Sequence, residues 1–149
     1  MKGKHLNPIP KLEKVSLNIS SITVECYVWK PRKTSYFAGY IEFKGQYRIG
    51  SAGINDAKYI HWKINEFCDL TFPEPILGLI VDLTQLDYSY GDDLEIFPER
   101  LISRNLPIKV LVQTDSLGIF DKILDKNILT DSREVAFDQI ENFLQKYNL

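Results

Sequence analysis

The chain has 149 residues, with 18 Lys and Arg against 20 Asp and Glu and a formal net charge of −2. That length suits one domain over residues 1–149 with an ordinary core, and a hydrophobic fraction of 44% is not that of a disordered chain. The near-balanced charge argues against a general nucleic-acid binder, which needs a Lys/Arg excess on some face.

Met1 opens the polar stretch MKGKHLNPIPKLEK. It contains no apolar leader, so no signal peptide is expected and the chain reads as cytoplasmic. Pro8 and Pro10 block regular pairing, which makes residues 1–13 a surface-laid or poorly ordered arm. In SITVECYVWK, residues 21–30, Ile22, Val24, Cys26 and Val28 alternate with Thr23, Glu25, Tyr27 and Trp29. The alternation predicts a strand whose first set is buried. The basic residues Lys30, Arg32 and Lys33 that follow read as an exposed turn. In YFAGYIEFKGQYRIG, Gly45 predicts a hairpin turn between Ile41–Phe43 and Tyr47–Ile49.

The period changes at Asn55, where Ala57, Ile60, His61, Ile64, Phe67 and Cys68 mark the buried face of a helix capped by Asn55 or Asp56. Pro73 and Pro75 end it. ILGLIVDL, residues 76–83, reads as a strand apolar on both faces and therefore central in a sheet covered by helices, and IKVLVQ, residues 108–113, as a second. The helix between them starts either at Pro98 or earlier, at Asp92 or Asp93, and the later start is favoured. SLGIFDKIL gives a short helix and NILT an edge strand. The closing segment DSREVAFDQIENFLQKY is a helix with capping-box spacing at Asp131 and Glu134, burying Ile140, Phe143, Leu144 and Tyr147. The fold class is thus α/β: a mixed sheet with antiparallel N-terminal strands, a parallel C-terminal βαβ and packed helices.

No P-loop, dinucleotide fingerprint or nucleophile elbow is present, so no cofactor is expected. His61 and Cys68 share a helix face but stand seven positions apart, about 10 Å of rise, too far for one ion. Both cysteines, Cys26 and Cys68, are expected reduced and buried. The longest apolar run, Ile76 to Val81, is too short for a membrane span.

The stretch VDLTQLDYSYGDDL stands apart: a buried strand that ends in two aromatics, a glycine and two acids. With the segments NLPIKVLVQ, GIFDKILDKNILT and DSREVAFDQI that follow, residues 76–149 resemble the STAS domain of anti-sigma factor antagonists and sulfate-transporter tails. The resemblance implies a STAS-like fold and a regulator that binds another protein. Where such antagonists carry a phosphorylatable Ser in an Asp-Ser-x-Gly turn, this chain has Tyr90, Gly91, Asp92 and Asp93, with Ser89 two positions early. Fixed charge in place of a switch points to constitutive binding. YSYGDDL is also similar to the FsaGaDl turn of crotonases, which would imply Gly91 as an oxyanion donor, but no base or second donor accompanies it.

Tyr and Trp beside acids are the materials of a protein-binding patch. The expectation is a noncatalytic cytoplasmic module acting by stoichiometric binding to a protein. An immunity protein or antitoxin facing a toxin, basic if it cleaves nucleic acid, is favoured over an anti-sigma-type regulator or a small crotonase-like enzyme. Tyr88, Ser89, Tyr90, Asp92, Asp93 and Glu95 are the candidate contact residues, exposed at the end of the strand.

Overall fold

The computed structural model describes residues 9–70, 75–88, 94 and 96–147. Its elements run β1 (Thr23–Trp29), β2 (Phe37–Gln46), α1 (Ser51–Cys68), β3 (Ile76–Asp87), α2 (Glu99–Ser103), β4 (Ile108–Leu111), a 3-10 turn (Thr114–Ser116), α3 (Leu117–Phe120), β5 (Leu129–Thr130) and α4 (Arg133–Lys146). The five strands form one sheet in the order β1-β2-β3-β4-β5. Only the β1–β2 pair is antiparallel. The α/β class with a mixed sheet is as the sequence implies.

Consecutive residues of a strand face opposite sides of a sheet, and β2 uses both. A Cβ on Gly39 would come within 2.7 Å of Phe67 and Ile76, so α1 lies against that face. Tyr40, next in the strand, meets Arg133 and Phe137 of α4 on the other face. Gly78 of β3 makes the matching close approach to α4, where a Cβ would stand 3.1 Å from Ile140. The sheet is therefore sandwiched, and β3 is apolar on both faces from Ile76 to Val81 because both are covered.

Several sequence expectations are corrected. No hairpin forms at Gly45: β2 runs unbroken for 10 residues, and the glycine takes a φ of 129° beside the Ile22 backbone instead of turning the chain. The element order is accordingly two strands before α1, not three. Cys26 and Val28 of β1 are exposed, since β1 is the margin of the sheet and is only partly covered; of the set expected inside, Ile22 alone is buried. Helix α1 starts at Ser51, four residues before Asn55, because Gly50 at φ 70° lets the chain turn directly into it. Asp56 lies within the helix, fully buried, and is not its cap.

Ile60, Ile64 and Cys68 are buried as expected, whereas His61 is only half-buried. Helix α2 begins just after Pro98, on the later of the two alternatives. The cap of α4 is Ser132, whose hydroxyl accepts from Val135 N–H at 3.2 Å. Asp131 instead accepts from Thr114 Oγ1 at 2.8 Å. Ile140 and Leu144 of α4 are buried, but Phe143 is exposed and Tyr147 half-buried; Ala136 and Glu141 complete the buried stripe.

Two buried carboxylates fasten loops to this frame. Asp56 accepts from Ser20 Oγ at 2.5 Å, from Arg48 N–H at 2.7 Å and from Arg48 Nε and Nη2 at 3.0 and 2.8 Å. Glu141 accepts from the Arg32 backbone N–H at 3.0 Å and from its guanidinium at 3.1 and 3.3 Å, tying the β1–β2 connection to α4.

Candidate protein-binding face

The expected contact loop divides into what is buried and what is undescribed. Tyr88 is 5% exposed, tilted against Tyr47 at 4.6 Å between ring centroids and stacked on Phe120 at 4.7 Å. The expectation that it is exposed is corrected: its ring packs in the core under α3. Ser89, Tyr90, Gly91, Asp92, Asp93 and Glu95 lie outside the described residues.

The same chemistry, aromatics beside acids, is assembled elsewhere. Registers β1–β2 and β2–β3 place Glu25 opposite Glu42 and Glu42 opposite Asp82, so three carboxylates stand in one row across three strands. They share the face that carries Tyr27 and Tyr40, two residues along their strands, and Trp29, four along β1. Like charges directly opposite one another destabilise a sheet. None of the three carboxylates takes part in an ion pair among the described residues.

Asp82 is buried and fully employed. It accepts from the Tyr40 hydroxyl, from Thr84 N–H at 2.8 Å and from Thr84 Oγ1 at 2.6 Å. Burial, reinforced by the bond to Asp82, pushes the Tyr40 phenol far above its ordinary value, so it stays protonated as the donor. Tyr27 donates to Glu25 Oε2 at 2.6 Å, a bond that raises its own phenol. The Glu42 side chain is half-buried and makes no hydrogen bond among the described residues.

Helix α4 closes one side. Arg133 Nη1 donates to the Tyr40 hydroxyl at 3.1 Å, and its guanidinium lies 5.0 Å from the Tyr40 ring centroid and 5.4 Å from that of Phe137. Phe137 stacks on Tyr40 at 5.6 Å and tilts against Trp29 at 4.7 Å. A cavity of about 290 Å³ opens between Tyr27, Trp29, Tyr40, Glu42, Arg133 and Phe137. Tyr27, at 50% exposure, forms its outer lip. The inner rings hold the Arg133 guanidinium, and among the described residues no cation stands over the Tyr27 ring or beside the Glu25–Glu42 pair.

Sequence reasoning had isolated Glu25, Tyr27 and Trp29 as the polar face of β1 but could not align them with Glu42 and Asp82. That alignment depends on strand register, which no local pattern specifies. Burial of the Cys26 thiol, then the charge of Glu66, pushes it up to about 11, so exposure alone does not give an activated thiolate there. Among the described residues no group of three or more His, Cys, Asp or Glu is placed to hold a metal, and no helix is long and apolar enough to cross a membrane. Together these features define an α/β protein with a sandwiched mixed sheet and an aromatic, acid-lined face at its β1 margin. No family model, no curated protein and no solved structure matches the chain.

Proposed function

We propose that the chain is a noncatalytic module that binds another protein stoichiometrically through the β1–β2 margin, taking basic side chains of that partner against Tyr27, Glu25 and Glu42. The observation that carries this reading is the Glu25–Glu42 pair, directly opposed across two strands with no cation partner among the described residues, beside an exposed tyrosine and an open cavity. A partner cation relieves the repulsion and gains a ring face at once, which makes bound and free states differ by more than contact area. Tyr, Trp and Arg at the centre of such a patch are the side chains that dominate interface energies.

The acids are permanent charges, so binding requires no modification. That fits an immunity protein or antitoxin neutralising a basic toxin better than a phosphorylation-controlled regulator of the anti-sigma antagonist type. The test is affinity capture from native lysate, with wild type and Tyr27→Ala/Glu42→Gln side by side, followed by native mass spectrometry. One protein in stoichiometric complex with wild type and absent from the variant is expected. A toxic nuclease as that protein supports immunity, and an anti-sigma kinase supports regulation. Equal capture by both baits contradicts the assignment of this face.

A further inference from the structure

The two edges of the sheet are treated unequally. β5 is two residues long, too short to template another strand. β1 is seven residues long, pairs on one side only among the described residues, and contains no Pro, Lys or Arg. Its basic neighbours Lys30, Arg32 and Lys33 come after the strand, and Arg32 is turned to Glu141. Val28 is 47% exposed on one face and Tyr27 50% exposed on the other. An edge of this length with apolar groups on both faces carries only one of the usual protections against strand addition, the single charge of Glu25.

We propose that this edge is an interface between two copies of the chain, β1 pairing antiparallel with β1 across a two-fold axis at Cys26. The strand runs from Thr23 to Trp29, so Cys26 is its midpoint and this register alone pairs all seven residues. Thr23 then faces Trp29 of the second copy, Val24 faces Val28 and Glu25 faces Tyr27. The first sets a β-branched residue against an aromatic and the second sets two β-branched residues together, both pairings that stabilise antiparallel sheets, and the third places a phenol opposite a carboxylate. Tyr27 already donates to Glu25 within the strand, so the bond can be made within a copy or across the axis. Moving the axis to Glu25 would set two carboxylates face to face, at a cost. The interface is isologous, as closed dimers require. The two sheets become continuous and their aromatic, acidic faces lie side by side, so the proposal stands independently of what binds that face.

Two measurements test it. Sedimentation equilibrium is expected to give twice the monomer mass of 17.3 kDa. Val24→Glu with Val28→Glu sets like charges opposite each other at both ends and is expected to yield monomer; Val24→Glu with Val28→Lys sets opposite charges there and is expected to restore the dimer. A monomer at high concentration for wild type overturns the proposal, as does a dimer that the like-charge variant leaves intact. The second measurement needs no variant. Cα atoms directly opposite in an antiparallel pair are about 4.5–5.5 Å apart, within disulfide reach, and Cys68 is buried and cannot compete. Oxidation at alkaline pH, where a thiol raised to about 11 supplies thiolate, is expected to link the chains through Cys26; peptide mapping that finds no such link under those conditions overturns the register.

Discussion

Asp56 illustrates how a single residue can be misread from its neighbours. An Asp before an amphipathic pattern is a natural helix cap, yet here Gly50 supplies the entry and the carboxylate is spent on Arg48 and Ser20. Burial alone would raise its pKa, but the bonds from Arg48 and Ser20 outweigh it and hold the group below its usual value. Glu141 is also held low, first by the Arg32 backbone N–H; the Trp29 indole N–H adds a little without closing a bond of standard geometry. A carboxylate with a lowered folded pKa contributes stability that is complete above its unfolded value, about 4, and is lost as pH falls through the folded one. Urea midpoints should therefore drop on acidification below about pH 4, and Asp56→Asn should flatten that dependence. Asp56→Ala should cost about 2 kcal/mol at neutral pH, the range for lost charged hydrogen bonds, measured by the shift in urea midpoint. A variant as stable as wild type would show that the Arg48 contact contributes nothing.

At the scale of elements, legibility followed burial. β3 and the apolar stripe of α1 were readable because both are enclosed, and enclosure leaves one interpretation of a hydrophobic run. Ile64 is fully buried, and Ile64→Asp is expected to unfold the protein by placing an unpaired charge in the core, with loss of the cooperative melting transition as the readout. β1 was legible as a strand but not as an edge. Alternation reports periodicity alone; which face is covered depends on how far α1 and α4 extend across the sheet. Gly45 misled for a similar reason, since a glycine with positive φ serves a turn and a strand approached by another backbone equally well. Replacing Glu25 by Gln should raise stability by a few tenths of a kcal/mol, about what removal of a like-charge cross-strand pair gives, with a higher melting temperature as the readout. A lower one would mean that the Tyr27–Glu25 bond outweighs the repulsion.

For the whole molecule, the decisive geometry is long-range. Glu25, Glu42 and Asp82 are separated by dozens of residues, and only the order β1-β2-β3 and its registers bring them into one row. Aromatics beside acids are densest in the local stretch at residues 88–95, which is where a reading of neighbouring letters places a contact patch. In the fold, Tyr88 from that stretch is core and the rest of its candidate residues lie outside the described residues, while Tyr27, Trp29, Glu25 and Glu42 stand on the open side of a face whose floor is the buried Tyr40 and Asp82. Gly39 and Gly78 fix the separation of the layers, which keeps the face rigid: α1 and α4 each rest where the strand has no side chain.

The most direct test of that face is calorimetric titration of the captured partner into wild type and into Tyr27→Ala/Glu42→Gln. Both side chains are at least partly exposed and neither anchors the core. The account predicts a loss of about 2 kcal/mol or more in binding free energy, the scale of an interface hot spot and about 30-fold in affinity, with the melting temperature of the variant unchanged. An affinity equal to that of wild type would contradict it and place the partner on another surface.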